Sequence, residues 1–248
     1  MKISIITVCY NRSATIEKTI LSVLNQDYPN IEYIIIDGGS KDGTPAIIEK
    51  YADKLDVFIS EPDNGMYDAI NKGLNLITGD VFGLMHSDDV FYDNNVVSKI
   101  AEAFKNNPTT DGVYGNGIYV TNDFQEKIVR NRIGGEYNFG KLKSGWLPLH
   151  PTVYLKKNCL EQYGNYNLNF KIASDTEFLL RYLFKYKVSM QYLDTYVVKM
   201  RMGGLSTDYK RAVEVLKEDY NIYKYHNINP LSAVLSKKSQ ALKQYFVR

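Results

Sequence analysis

The sequence predicts an α/β protein built on one open, mostly parallel sheet flanked by helices, with a helical tail at its C-terminal end. Three observations predict it. The runs Ile3 to Val8 and Ile31 to Ile36 are almost continuously apolar and β-branched, as strands covered on both faces are. Between and after them the apolar residues switch to helical spacing, and the strand-helix alternation continues as far as Asp89. Of the 248 residues, 44% are hydrophobic and 23% charged, which supplies a sizeable core and excludes global disorder. That length suits one large domain or two small ones.

Each element follows from a local signal. Ile3 to Val8 is the expected central strand, and Ile16, Ile20, Val23 and Leu24 mark a helix for which Ser13 is the expected cap. Ile31 to Ile36 forms a second strand ending at Asp37-Gly38-Gly39. Thr44 followed by Pro45 reads as a cap and first-turn proline, with Ile47, Ile48 and Tyr51 continuing that helix. Val57 to Ser60 is a third strand. After Asn64-Gly65, the residues Ala69, Ile70, Leu74 and Ile77 predict a helix that stops by Gly79, and Val81 to Met85 is a fourth strand leading to Ser87-Asp88-Asp89. Beyond Asp111 the pattern loosens into strands over Gly112 to Val120, Thr152 to Lys156 and Ser189 to Met200. Ser174 and Glu177 form a capping-box pattern before Phe178, Leu179, Tyr182 and Leu183, which places Asp175 in the first turn of a helix.

Composition narrows the function. The net charge of +2 is too even for a general nucleic-acid binder working through phosphate neutralisation. Cys9 and Cys159 stand far apart without CxxC or histidine-rich company, so neither a disulfide framework nor a zinc site is expected and a reducing, cytoplasmic setting fits. No stretch approaches the roughly 18 apolar residues of a membrane span. The turn after the first strand, Cys9-Tyr10-Asn11-Arg12-Ser13, has neither GxGxxG nor GxxxxGK[ST], which disfavours dinucleotide and P-loop chemistry.

Ligands of open α/β sheets bind beyond the carboxyl ends of the strands, where Asp37, Asp88 and Asp89 fall. Aspartate also favours strand-ending turns, and Asp37 before two glycines fits that chemistry equally well. The adjacent pair is harder to explain structurally, because two neighbouring carboxylates repel unless solvent or a cation intervenes. A hard divalent cation, Mn²⁺ or Mg²⁺, bridging to a diphosphate would fit them.

The stretches ISIITVCYNR (3–12), SVLNQDYPNIEYIIIDGGSKDGT (22–44), GMYDAINKGLNLITGD (65–80), FGLMHSDD (82–89) and ASDTEFLLR (173–181) together resemble the family 2 inverting glycosyltransferases of GT-A fold, the nucleotide-diphospho-sugar transferase fold. The subgroup it is most similar to is the compact bacterial surface-polysaccharide type. The resemblance implies a glycosyltransferase domain over 1–210, with a nucleotide-binding half (1–110) and an acceptor-binding half (111–210). It implies a UDP-sugar or other NDP-sugar donor and a glycan or lipid-linked acceptor. Thr7, Tyr10, Asn11, Asp37, Asn64, Gly65, Asp68, Asn71 and Asp88 would hold the donor, with Asp37 reading the base. Asp88 and Asp89 would be the DxD-type metal element, with His86 in place of its usual first acid, and the sequence leaves open which aspartate ligates. Ile70 stands where many relatives carry a base-contacting Arg, a loss for which Asp68 or Lys72 would compensate. Asp175 matches the catalytic base, and the helix dipole favours its ionised form. On the acceptor side and its closing loop the resemblance implies His150, Arg201, Gly204 and Ser206, and Trp146, just before His150, is a candidate acceptor platform because aromatic faces stack on the apolar CH surfaces of sugar rings. The rival readings are a non-catalytic nucleotide-sugar or carbohydrate-binding module on the same scaffold and a sugar nucleotidyltransferase, which would want a glycine- and Arg/Lys-rich phosphate loop after the first strand.

In the tail, 211–248, Asn229-Pro230 starts a helix whose Leu231, Val234, Leu235, Leu242, Tyr245 and Phe246 fall on one side, while Lys237, Lys238, Lys243 and Arg248 supply positive charge. Such a basic amphipathic helix suits peripheral attachment to an anionic membrane surface, the inner face of the cell membrane. Equally, the stripe could pack on the domain or on a second copy in a homodimer.

Overall fold

The computed structural model describes residues 1–121, 127–202 and 212–243. Strand β1 (Ile3–Cys9) is buried along its whole length, with β2 (Ile31–Asp37) parallel on one side and β4 (Val81–Leu84) parallel on the other. β3 (Val57–Ser60) adds a further parallel strand outside β2. The near-continuous apolar runs are explained by helices on both faces. Ile3, Ile5, Tyr33 and Ile35 pack beneath α1 (Ile16–Leu24), α2 (Thr44–Glu49) and α4 (Val96–Asn106). Ile6, Val8, Ile34 and Ile36 face α3 (Met66–Leu74) instead. That helix lies so close that a Cβ on Gly73 would come within 2.6 Å of Ile6 Cγ2.

The chain steps outward from β1 through β2 to β3 and then returns to lay β4 on the opposite side of β1. This reversal opens a crevice beyond the carboxyl ends of β1 and β4, the place where such sheets bind ligands. The sheet continues from β4 through β8 (Tyr154–Lys156), β6 (Gly112–Val120) and β9 (Met190–Arg201) to β5 (Val90–Phe91), with β7 (Ile128–Arg132) paired off β6. In this half β6 and β9 run parallel, whereas β8, β7 and β5 join antiparallel. Short helices α5 (Phe139–Leu142) and α6 (Lys157–Tyr163) connect the strands, and α7 (Ser174–Leu180) runs on into one π turn, Arg181–Lys185.

Helices α8 (Ala212–Tyr225) and α9 (Pro230–Lys243) pack on each other and on the α3–α7 side of the sheet, burying Ile222, Tyr223 and Ala233 completely. The expected single apolar stripe is divided. Val234 packs against the core, while Leu231 and Leu235 are 66% and 68% exposed. Lys237 turns inward, to Asp219 at 2.8 Å and Thr176 Oγ1 at 3.1 Å, so it does not flank an outward stripe. The side chains of Leu242 and Lys243, and all of Tyr245, Phe246 and Arg248, lie outside the described residues.

Three helix starts differ from the sequence reading. The residue before α1 is Thr15 rather than Ser13, because Arg12 O accepts from Thr15 N and Ile16 N in a preceding turn, and Ser13 N is donated to Asp42. Before α2 it is Gly43, at φ +92°, and Thr44 lies within the helix with its N–H and hydroxyl both donated to Asp42 Oδ1. Those bonds, led by the Thr44 hydroxyl, hold the Asp42 carboxyl well below the usual range. The Ser174/Glu177 capping box does not form. Ser174 Oγ goes to Asn167 O, and buried Glu177 turns to Arg181. Its place is taken by Glu218 of α8, whose carboxylate accepts the N–H groups of Lys171, Ile172 and Ala173.

Candidate active site

The rim of the crevice is two loops fastened to each other. Gly38 N donates to Cys9 O at 2.9 Å, Asn11 N to Ser40 Oγ at 2.7 Å, and Lys41 N to Asn11 Oδ1 at 3.0 Å. Asn11 takes up the left-handed region (φ 52°), which asparagine tolerates better than most residues. Tyr10 beside it is 59% exposed.

Two residues expected on this rim face inward. Thr7 has no exposed surface, and its hydroxyl meets Tyr33 Oη at 3.1 Å in the core between sheet and helices. Asp37 is likewise fully buried: Oδ2 accepts from Gly39 N, Ser40 N and Ser60 Oγ, and Oδ1 from Ser40 Oγ and Cys9 Sγ. With every lone pair engaged, Asp37 builds the turn and is not a direct reader of a base. Burial, reinforced by this carboxylate, pushes the Cys9 thiol far above its ordinary range, so it stays protonated.

The α3 residues divide similarly. Asp68 reaches back to accept from Asn64 N at 2.9 Å, fixing the helix start, and Gly65 before it has φ +113°. Asn71 gives both ends of its amide to the backbone of Tyr166, Nδ2 to the carbonyl and Oδ1 from the N–H, each at 2.9 Å, so it clamps that loop instead of a donor. Ile70 is buried in the core, and Lys72 is held by Glu61 at 2.7 Å and Pro62 O at 3.1 Å, so neither supplies a free cation to the rim.

At the end of β4 the groups are less well partnered. Half-buried His86 lies with its ring centroid 6.0 Å from that of His150, and His150 Nε2 meets Tyr166 Oη at 2.5 Å. Burial lowers both histidines, against the pull of Asp175 on each and of Asp88 on His86; His150 falls to about 4 and is neutral at pH 7. Tyr166 stacks on Phe178 of α7, with centroids 4.2 Å apart, so α7 orients the histidine through a tyrosine. Asp175 is half-buried in the first turn of α7. Its Oδ1 accepts from Thr176 N at 2.8 Å and lies 3.2 Å from Tyr67 Oη, whose one proton is shared with the nearer Ile172 O at 2.8 Å, while Oδ2 accepts no hydrogen bond from the described residues. Burial and the nearby Asp175 keep the Tyr67 phenol protonated, so it acts as a donor.

The two acidic neighbours differ. Asp88 is half-buried, whereas Asp89 is 5% exposed, accepts among the described residues only from Arg201 N (3.3 Å) and is driven well above the usual carboxylate range by burial and by Asp88. A buried carboxylate with so little compensation suits a neighbouring cation. Among the described residues no three acidic, histidine or cysteine side chains converge as a closed metal site. Asp88, with Asp89 behind it, would therefore hold a divalent cation only together with oxygens of a bound diphosphate, a donor set that suits Mg²⁺ or Mn²⁺.

Trp146 is part of an aromatic cluster, edge-on to Tyr114 and Tyr137 with Lys141 Nζ 5.9 Å from its ring. Arg201 ends β9 and reaches the site through its backbone. Gly204 and Ser206 lie outside the described residues. Sequence reasoning passed over Tyr67 and Tyr166, which become visible as site residues only through contacts spanning 108 and 16 positions.

The family model described as "Glycosyl transferase family 2" matches residues 4–181. The uncharacterized glycosyltransferase Rv1514c of Mycobacterium tuberculosis is 32% identical over 183 residues, 72% of this chain and 68% of that protein. Among solved structures, S. aureus TarS 1-349 in complex with UDP-GlcNAc superposes with a TM-score of 0.66 at 20% identity, over 90% of this chain and 65% of that one. The mannosyltransferase PcManGT from Pyrobaculum calidifontis, in complex with GDP-Man and Mn²⁺, gives 0.65 at 15% identity, over 96% and 73%. These neighbours have the GT-A fold.

Proposed function

The chain belongs to glycosyl transferase family 2, and from that premise we propose that it transfers a sugar with inversion from a UDP-sugar to a hydroxyl of a glycan or lipid-linked acceptor, with Asp175 as the base. One observation carries the assignment of the base. Asp175 holds one carboxylate oxygen in place through Thr176 N and Tyr67 and leaves the other free, beside two histidines and Asp88 at the carboxyl end of the sheet. A general base needs that combination, fixed in direction and open at one lone pair. In the proposed reaction Oδ2 takes the acceptor proton as the acceptor oxygen forms its bond to the anomeric carbon and the bond to the diphosphate breaks. No covalent enzyme intermediate is required.

A divalent cation bound by Asp88 and Asp89 would neutralise the charge that gathers on the departing diphosphate. Neutral His150, held by Tyr166, lines the site without adding a competing positive charge. The uridine donor is supported by the UDP-GlcNAc complex of TarS and the cation by the Mn²⁺ complex of PcManGT, both relatives in fold. A role in surface-polysaccharide assembly rests on the resemblance of the motifs.

Turnover of radiolabelled UDP-sugars tests the reading. The wild type is expected to release UDP, and Asp175→Asn to lower kcat at least about a hundredfold while keeping its affinity for UDP. Loss of UDP affinity in that variant would move Asp175 into the donor site, and release of pyrophosphate would make the protein a nucleotidyltransferase. Chelation with EDTA is expected to abolish turnover and Mn²⁺ to restore it; full activity after exhaustive chelation would remove the cation from the scheme.

A further inference from the structure

The rim of the crevice holds a carboxylate that no motif points to. Asp37 cannot present itself to a ligand, because its oxygens are all engaged and it has no exposed surface. The next residue, Gly38, carries no side chain, and the space where one would stand is filled from elsewhere. A Cβ on Gly38 would touch the carboxylate of Asp63, lying 3.0 Å from its Cγ. Asp63 belongs to the loop between β3 and α3, 25 positions further along the chain. Its Oδ1 is fixed by the N–H of Gly65 at 2.8 Å. Its Oδ2 accepts no hydrogen bond from the described residues and is half-buried, so it lacks a donor that a ligand could supply. Across the rim Tyr10 presents an exposed ring on which a flat base could stack.

From this juxtaposition we propose that Asp63, standing in for a side chain at position 38, reads the nucleobase of the donor and selects uracil over cytosine. The inference rests on the UDP-sugar reading above. An ionised carboxylate only accepts hydrogen bonds. Uracil offers it the N3–H, whereas N3 of cytosine carries a lone pair that would face the carboxylate and repel it. Gly38 is the permissive half of the device, since any larger residue there would displace Asp63. The backbone at Gly38 is not in the left-handed region, so an aspartate placed there would itself fit the chain.

The test is equilibrium binding of UDP and CDP to the full chain with Mn²⁺, which needs neither acceptor nor turnover. The wild type is expected to prefer UDP by at least about tenfold, the scale of one hydrogen bond to a charged group. Asp63→Ala should weaken UDP by a similar factor, bind CDP as well as the wild type or better because the repulsion is gone, and so erase the preference. Adding Gly38→Asp to Asp63→Ala returns a carboxylate to the same place and should restore the preference for UDP. A UDP preference that survives Asp63→Ala overturns the inference, as does an equal loss of both nucleotides that Gly38→Asp does not repair, which would make Asp63 only a loop fastener. Failure of the wild type to bind UDP would overturn the proposed donor, and this inference with it.

Discussion

Asp37 and Asp42, at the end of β2 and in the loop after it, and Asp89 and Asp175, after β4 and at the start of α7, lie toward the same edge of the sheet and are built in opposite ways. On the rim, Asp37 accepts from five donors, and Asp42 from Thr44 and Ser13. Among the described residues, buried Asp89 after β4 accepts from one backbone N–H, and Asp175 in the first turn of α7 keeps an oxygen free. A satisfied carboxylate stabilises a loop; an under-satisfied one waits for a cation, a proton or a donor group. An aspartate at a strand's end therefore identifies a location, and its hydrogen bonds identify its work.

The sharpest way to break this contrast is to exchange the expected consequences. Asp37→Ala removes the acceptor of five donors from a fully buried position and should cost about 3–5 kcal/mol of stability, measured by urea unfolding. In the fraction that stays folded, kcat at saturating donor should be close to that of the wild type. Asp175→Asn should do the reverse, since about a hundredfold in kcat corresponds to about 2.7 kcal/mol of barrier with stability nearly unchanged. If Asp37→Ala unfolds nothing and instead abolishes nucleotide binding, the rim and the β4 edge are not different in kind.

Much of the first half of this architecture was legible in the sequence. β1 and β2 are read from runs such as Ile34-Ile35-Ile36, because a strand covered on both faces has no polar period to hide it. β5 has two residues and β7 pairs only with β6, so neither carries enough pattern to be found. The positions of Asp37, Asp88 and Asp89 at strand ends and of Asp175 in the first turn of a helix were readable, but the engagement of Asp37, Asn71 and Thr7 was not. Each depends on partners that only folding supplies, from Ser60 for Asp37 to the backbone of Tyr166 for Asn71. Ser174 and Glu177 matched a capping box in spacing, yet Glu218, more than forty positions away, took that work and freed Glu177 for Arg181.

A smaller effect, and one that reads the satisfied class directly, comes from Glu32 on β2. Burial alone would push its carboxyl up, but hydrogen bonds from Lys2, Ser4 and Thr78 outweigh that and hold it at about 2, against an ordinary 4.5. A depressed carboxylate contributes stability that is fully present above its unfolded pKa and is lost as pH falls through the folded one. The window is therefore about pH 4.5 down to 2, and the contribution about 2 kcal/mol once the partly exposed Lys2 is allowed for. Urea unfolding at pH 7 and pH 3 should show the wild type losing more stability than Glu32→Gln over that interval. Equal losses would mean that Glu32 is no better satisfied than an ordinary surface acid.

The smallest expected effect carries the same contrast to a single helix, α9, whose two faces differ as the two site edges do. One face is engaged: Ala233 is buried, and Lys237 bonds both oxygens of buried Asp219 at 2.8 and 2.9 Å. Lys237→Ala would leave that carboxylate buried without its cation, at a cost of about 1–2 kcal/mol. On the other face Leu231 and Leu235 touch nothing that keeps them from water, so replacing both with serine should change stability by less than about 0.5 kcal/mol. If these leucines serve a membrane, the same double variant should lose co-sedimentation with anionic liposomes, since burying each leucine in the interface would contribute roughly 1.5–3 kcal/mol. No helix among the described residues is long and apolar enough to cross a membrane, so any attachment through α9 would be to its surface. Sedimentation that is unchanged by the double variant, or equal on neutral and anionic vesicles, would leave Leu231 and Leu235 as ordinary exposed residues and confine the function of α9 to holding Asp219 against α7 through Lys237.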